Sequence, residues 1–202
     1  LSIYSSIILN KKFLKSLNYI FFNFHPGILP FYPGKNCVSG AIYNGEKQIG
    51  ITVHKMNSII DNGKILFKKK ITLSKNDNLL SAMFKLRKIN LSLLKRLLLL
   101  LKNNQKFNLK KNDKKKIKIY PKVVPNFGLI NDNLTFKKFK RIFNASFSGP
   151  FFNSWGRIYF KFGAKKKYII QILKKNKLNK NNKKIKKITS NLYLLKLKDK
   201  DV

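Results

Sequence analysis

Asn23, His25 and Asp61 are the side chains whose types and spacing could do chemistry. One residue separates the first two, and His25 and Asp61 are of scarce types, since the chain holds only two histidines and seven acidic residues. Together they offer a neutral hydrogen-bond donor, a base that titrates near neutrality and a carboxylate. That set suits acyl transfer to an amine, which must lose a proton as it attacks while the carbonyl oxygen takes up negative charge. The Asn23 amide and an N–H of His25 would steady the oxygen. Asp61 would fix the imidazole tautomer, or take the amine proton directly or through water. No nucleophilic Ser or Cys is required. On spacing alone, Asn23-Phe24-His25 beside Pro26 also reads as a turn with a capped histidine.

The elements that must position these residues can be read from pattern. Tyr19-Ile20-Phe21-Phe22 is a fully apolar run, read as a strand buried on both faces of a parallel sheet, with strand-end chemistry starting at Asn23. Pro26, Gly27, Pro30, Pro33 and Gly34 impose a rigid loop. Ile49 to Met56 alternates as a second strand, a loop passes through Asp61-Asn62-Gly63, and Ile65-Leu66-Phe67 resumes extended structure. The three site residues would then meet at the carboxyl ends of neighbouring parallel strands, where open α/β sheets bind ligands. From Asn78 to about Lys102, Leu79, Met83, Leu86, Leu93, Leu94, Leu97 and Leu101 fall on one helical face, predicting an amphipathic helix on the sheet. The lysine-rich residues 102–118, followed by Pro121 and Pro125, read as a linker. It divides a first domain, 1–120, from a small basic β-rich module, 121–202. That module holds a helix over Phe136 to Ala145 and strand-like segments at Arg157 to Phe162 and Tyr168 to Ile172. Residues 174–187 carry eight lysines and no acid, the pattern of a solvated, mobile segment.

Composition bounds the function. The chain has 202 residues, 45 of them Lys or Arg, and a formal net charge of +38. With 44% hydrophobic residues it can build a core, which excludes a wholly disordered basic tail. Only four of the bases are arginine, namely Arg87, Arg96, Arg141 and Arg157. Lysine, Asn, Ile and Phe are also what an AT-rich coding sequence supplies, so part of the charge reads as coding bias. Residues 1–63 carry a net +4 and the remainder +34. Cys37, the single cysteine, excludes an intramolecular disulfide and a Cys-rich zinc site, so no metal is expected and a reducing, cytoplasmic setting is. No apolar run reaches the roughly 18 residues of a spanning helix, so no membrane partner is expected. Leu1 opens the chain with no charged leader, and a preceding segment is expected.

The run Asn23-Phe24-His25-Pro26-Gly27-Ile28-Leu29-Pro30, then Tyr32-Pro33-Gly34, Ala41-Ile42, Asn44-Gly45, Gly50-Ile51-Thr52-Val53-His54-Lys55-Met56 and Asp61-Asn62-Gly63-Lys64-Ile65, closely resembles the formyltransferase family. The resemblance is ordered and gapless across this stretch. It implies the C-terminal portion of a Rossmann-like α/β domain plus the small β-rich appendage of the tRNA and sugar enzymes, which Phe139 to Ala145 and Pro150-Phe151 resemble more loosely. It implies transfer of a formyl group from 10-formyltetrahydrofolate to a primary amine, on methionyl-tRNA or a nucleotide-linked amino sugar. Asn23, His25 and Asp61 would be its catalytic trio. Ile7, Ile8 and Leu9 would present backbone to the pterin, and Ile59 and Ile60 would close the other side of that pocket. Gly27 stands where many members carry a small hydroxyl residue. The family's first three strands and the loop that holds the acceptor's phosphate have no counterpart. A basic RNA-binding or ribosome-associated protein without activity, and an inactive formyltransferase fragment, are the alternatives.

The remaining conspicuous residues have plain readings. His54, on a strand, reads as a structural hydrogen-bonded histidine, and Cys37 as a small buried filler. Trp155 with Phe151 and Phe152 reads as a satellite core, with a stacking platform as the alternative. The lysine runs read as solvated loops, with tracking of a phosphate backbone as the alternative.

Overall fold

The computed structural model describes residues 1–4, 9–16, 19–113, 117–130 and 133–171, together with two short strands at 185–187 and 193–195. A four-stranded sheet carries the site. Its order is β1 (Ser2–Ile3), β2 (Phe22–His25), β3 (Gln48–Lys55), β4 (Ile65–Thr72). Helix α1 (Lys11–Ser16) lies between β1 and β2, and α2 (Cys37–Asn44) between β2 and β3. The long helix α3 (Leu79–Lys102) follows β4, and α4 (Phe136–Ser146) precedes the hairpin β5 (Tyr159–Phe162) and β6 (Lys165–Tyr168). A further pair, β7 (Ile185–Lys187) and β8 (Tyr193–Leu195), is antiparallel. The expected lysine segment 174–187 lies outside the described residues except for β7.

The α/β class holds, and the sheet is mixed. β1 runs parallel to β2, whereas β2 pairs antiparallel with β3 and β3 with β4. The expectation of neighbouring parallel strands at the site is therefore corrected for β2 and β3. The strand expected at Tyr19 to Phe22 also lies further along, at Phe22–His25. Alternation explains this register: Phe22 and Phe24 point into the core while Tyr19 and Ile20 are 75% and 50% exposed. Asn23 and His25 thus lie within the strand.

Helix α3 begins at a reciprocal cap. The Asn78 side chain accepts from Ser81 N at 3.0 Å, and Asn78 N donates to Ser81 Oγ at 3.1 Å. Its buried stripe is Ala82, Leu86, Ile89, Leu93 and Leu97, a strict 3.6-residue progression. Leu101, expected on that face, is half exposed because the progression has rotated past it.

One hydrophobic core runs from the sheet through α2 and α3 into α4, taking in Tyr120, Val124, Phe139, Ile142, Phe143, Trp155 and Ile158. Trp155 is 1% exposed and its Nε1–H donates to the Pro121 carbonyl at 2.8 Å. It is a core residue, but Phe151 and Phe152 do not join it in a satellite cluster, for both are exposed.

Candidate active site

Asp61 is the hub of a buried polar cluster. Its Oδ2 accepts from the Gly34 backbone N–H at 2.7 Å and lies 3.3 Å from His25 Nδ1. Its Oδ1 lies 3.2 Å from His54 Nε2 and accepts from Asn23 Nδ2 at 3.3 Å. Four groups from β2, β3 and the Pro33-Gly34 loop thus converge on one carboxylate, which is held down to a pKa of about 2. Burial alone would raise that value; the His54 and His25 rings and the Gly34 N–H outweigh it.

Each element brings its residue here for a local reason. Antiparallel register sets Asn23 opposite His54 and His25 opposite Thr52, and cross-strand neighbours share a face. The ladder between β3 and β4 slips at Val53 and His54, where His54 pairs with Ile65 and Val53 with Phe67. Such a bulge re-aims side chains. The Asp61 turn is pressed onto the end of β3 by Gly63, where a Cβ would lie 1.5 Å from the Lys55 carbonyl oxygen. Thr52, fully buried, ties the proline loop to the sheet: its hydroxyl donates to the Gly27 carbonyl at 2.7 Å and accepts from Leu29 N at 3.1 Å.

The His25 ring is bounded by acceptors. Its Nε2 is 2.6 Å from the Tyr32 carbonyl oxygen, and its Nδ1 faces the Asp61 carboxylate. A neutral imidazole has one N–H, and the shorter contact assigns it to Nε2. Burial lowers the pKa of His25, with Asp61 and the Tyr32 carbonyl opposing. The free ring is thus neutral at pH 7, and a proton arriving on Nδ1 would meet a carboxylate at once. Gly27 makes this placement possible, because a Cβ there would lie 2.4 Å from His25 Nε2 and 2.7 Å from the Tyr32 oxygen. In this chain the glycine leaves open the space that the His25 ring and the Tyr32 carbonyl occupy, so a side chain there would have to shift one of them.

Asn23 Nδ2 donates to Asp61 Oδ1 at 3.3 Å and lies 3.3 Å from His54 Nε2, whose own N–H faces the same carboxylate oxygen. The carboxylate fixes the amide orientation, so the buried Oδ1, which has no hydrogen-bond partner, is the free atom. The donated bond is long and the second N–H has no acceptor among these groups, so the amide could turn an N–H to a developing oxyanion.

The structure brings Asn23, His25 and Asp61 together. It also adds His54, which the sequence reading set aside as structural. The missed signal was strand direction: antiparallel pairing puts residue 54 across from residue 23. Of the residues expected to hold the pterin, Ile7 and Ile8 lie outside the described residues, Leu9 is half-buried, and Ile59 and Ile60 stand more than half exposed beside the Asp61 turn. Cys37 is buried, its thiol pushed up to about 12 by burial, and it donates to the Pro26 carbonyl, so it is an inert filler.

A separate groove of about 580 Å³ lies between β4, α3 and residues 106–110. Lys68, Lys69, Arg96, Lys106 and Lys110 line it with no carboxylate among the lining residues. Arg96 lies over the Phe67 ring at 4.5 Å.

The fold is that of the formyltransferases. A 4-N formyltransferase from Francisella tularensis superposes with a TM-score of 0.70 over 87% of this chain and 70% of its own, at 23% identity. An N-formyltransferase from Helicobacter canadensis, solved with folinic acid and dTDP-3-aminofucose, gives 0.62 over 89% and 65%, at 20% identity. In sequence, the methionyl-tRNA formyltransferase of Buchnera aphidicola is 29% identical over 76% of this chain and 46% of its own length. The chain thus spans about half the length of that relative. Residues 2–98 match the family model described as formyl transferase.

Proposed function

We propose that the chain carries the catalytic cluster of a folate-dependent N-formyltransferase, which moves the formyl group of 10-formyltetrahydrofolate to a primary amine. The observation that carries this reading is the convergence of Asn23, His25 and His54 on the buried Asp61 carboxylate. The cluster fits the cosubstrate's chemistry. The Asn23 N–H groups, of which one makes a long bond to Asp61, are the donors for the formyl oxygen. The orphan Asn23 Oδ1 is an acceptor for an N–H of the amine or of the pterin. His25 Nδ1 takes the amine proton with the Asp61 carboxylate behind it, and the ion pair so formed is stabilised by the low dielectric of the site. The backbone at Leu9 on one side, and Ile59 and Ile60 on the other, would form the slot for the pterin.

Two acceptor classes remain in the proposal, methionyl-tRNA and a nucleotide-linked amino sugar. The cationic groove between β4 and α3 supports the first, since five bases without a carboxylate match a polyphosphate backbone. The complex of the Helicobacter relative with dTDP-3-aminofucose supports the second. A donor carrying ¹³C in its formyl group, mixed with each acceptor, tests the reading. A new formamide carbon should appear at a rate that Asp61→Asn lowers by about 10²-fold or more. Equal rates for the folded wild type and Asp61→Asn would remove the cluster from the chemistry.

A further inference from the structure

Residues 107–112, part of the stretch read from sequence as a solvated linker, come back to the site. Phe107 packs edge-on against Phe22 at 5.0 Å between ring centroids. Lys110 then pairs with Ile65 in both directions, at 2.7 and 2.8 Å. Two residues further, Asn112 Nδ2 donates to the Asp61 carbonyl oxygen at 3.0 Å. The amide orientation is fixed by chemistry, because only the N–H end can face a carbonyl. The other end, Asn112 Oδ1, is buried and without a hydrogen-bond partner.

Two features make this contact more than filling. Asp61 has a φ of +48°, in the left-handed region that residues other than glycine seldom adopt. The turn's own closure is weak, a 3.3 Å bond from Asn62 N to the Ile59 carbonyl. Something outside the turn must therefore hold the 61–62 peptide. The Asn112 amide also keeps a buried acceptor unsatisfied, a disfavoured arrangement, and the hydrogen bond it makes among the described residues goes to Asp61.

We propose that Asn112 is a positioning residue: its amide N–H holds the left-handed backbone of Asp61 and so aims the carboxylate between His25 and His54. This rests on the reading of Asp61 as the centre of the active site. The groups facing the carboxylate are His25 from β2, His54 from β3, Asn23 and the Gly34 N–H, with Cys37 and Tyr120 behind them.

The test uses the full chain and its two histidines, whose ring signals report the site without turnover. In Asn112→Leu the donor is lost at similar volume, so Asp61 loosens and its support for the protonated His25 weakens. The His25 titration midpoint should fall by about half a pH unit or more. In the ¹³C-formyl assay kcat should fall about 10- to 100-fold with the KM for the donor within about twofold. Asn112→Gln, which keeps an N–H donor, should recover most of both losses. A folded Asn112→Leu protein with the His25 midpoint and kcat of wild type overturns the proposal. If Asn112→Leu does not fold, the comparison is made with Asn112→Ala on the same two readouts. If wild type itself shows no turnover, the formyl-transfer reading is what fails, and the histidine titration alone decides the role of Asn112.

Discussion

Replacing Asp61 by Asn keeps the shape of the hub and removes its charge, which makes the consequences calculable. In the folded chain the carboxyl is held near a pKa of about 2 against an ordinary 3.8, so the ionised form is favoured by about 2 kcal/mol. The sign follows from linkage. A depressed carboxyl stabilises the fold above its unfolded pKa, and that contribution is lost as the pH falls through the folded value. Wild type should therefore exceed Asp61→Asn by about 2 kcal/mol at pH 7, and the gap should close between about pH 4 and pH 2 as wild type becomes a neutral isostere of the variant. Geometry adds a second consequence. Gly34 N needs an acceptor at 2.7 Å, so the new amide nitrogen must face Asn23 Nδ2 and His54 Nε2, setting donor against donor at Asn23. Urea melts of both proteins from pH 7 to pH 2.5 read the first effect, and histidine titration by NMR reads the second as a lower His25 midpoint. A gap that stays constant across the pH range, with His25 unmoved, would refute the linkage of Asp61 to this cluster.

Other outcomes follow from the same geometry. Thr52→Val preserves shape but strips the Gly27 carbonyl and the Leu29 N–H of a shared partner, and should cost about 2–4 kcal/mol in a urea melt. Gly27→Ser should displace the His25 ring, seen as loss of the Nε2–H signal bonded to Tyr32, because its Cβ has no space. Asn23→Ala should lower formyl-transfer turnover about 10²- to 10³-fold with little change in affinity for the donor. If the β4 groove engages tRNA phosphates, changing Lys68, Lys69, Lys106 and Lys110 to Gln should flatten the log-log salt slope of tRNA binding by about three units; an unchanged slope assigns those lysines to guarding the sheet edge.

How far the sequence carried this picture varied with the length scale of the cause. Helix α3 was legible almost to its ends, because its cap at Asn78 and its 3.6-residue stripe are local. The cluster was legible because two scarce residue types, His and Asp, sat with an Asn within a specific motif. Strand direction was not, since Phe22 to His25 and Ile49 to Lys55 look alike in parallel and antiparallel sheets. With direction went His54, which joins the cluster only through its pairing with Asn23. Asn112 was invisible for the same reason at longer range: a polar residue in a lysine-rich stretch gives no local sign that it reaches back to Asp61, and only the return of residues 107–110 along β2 and β4 brings it there.

The formyl donor must lie against Asn23 and His25 if the cluster does what is proposed. The most direct measurement is to titrate the folded chain with 5-formyltetrahydrofolate, a stable analogue of the donor, while following the His25 and His54 ring signals. The account predicts saturable shifts of both rings that follow one binding curve and are lost in Asn23→Ala or Asp61→Asn. Saturable binding that leaves both histidines unmoved, or no binding at millimolar ligand, would contradict it.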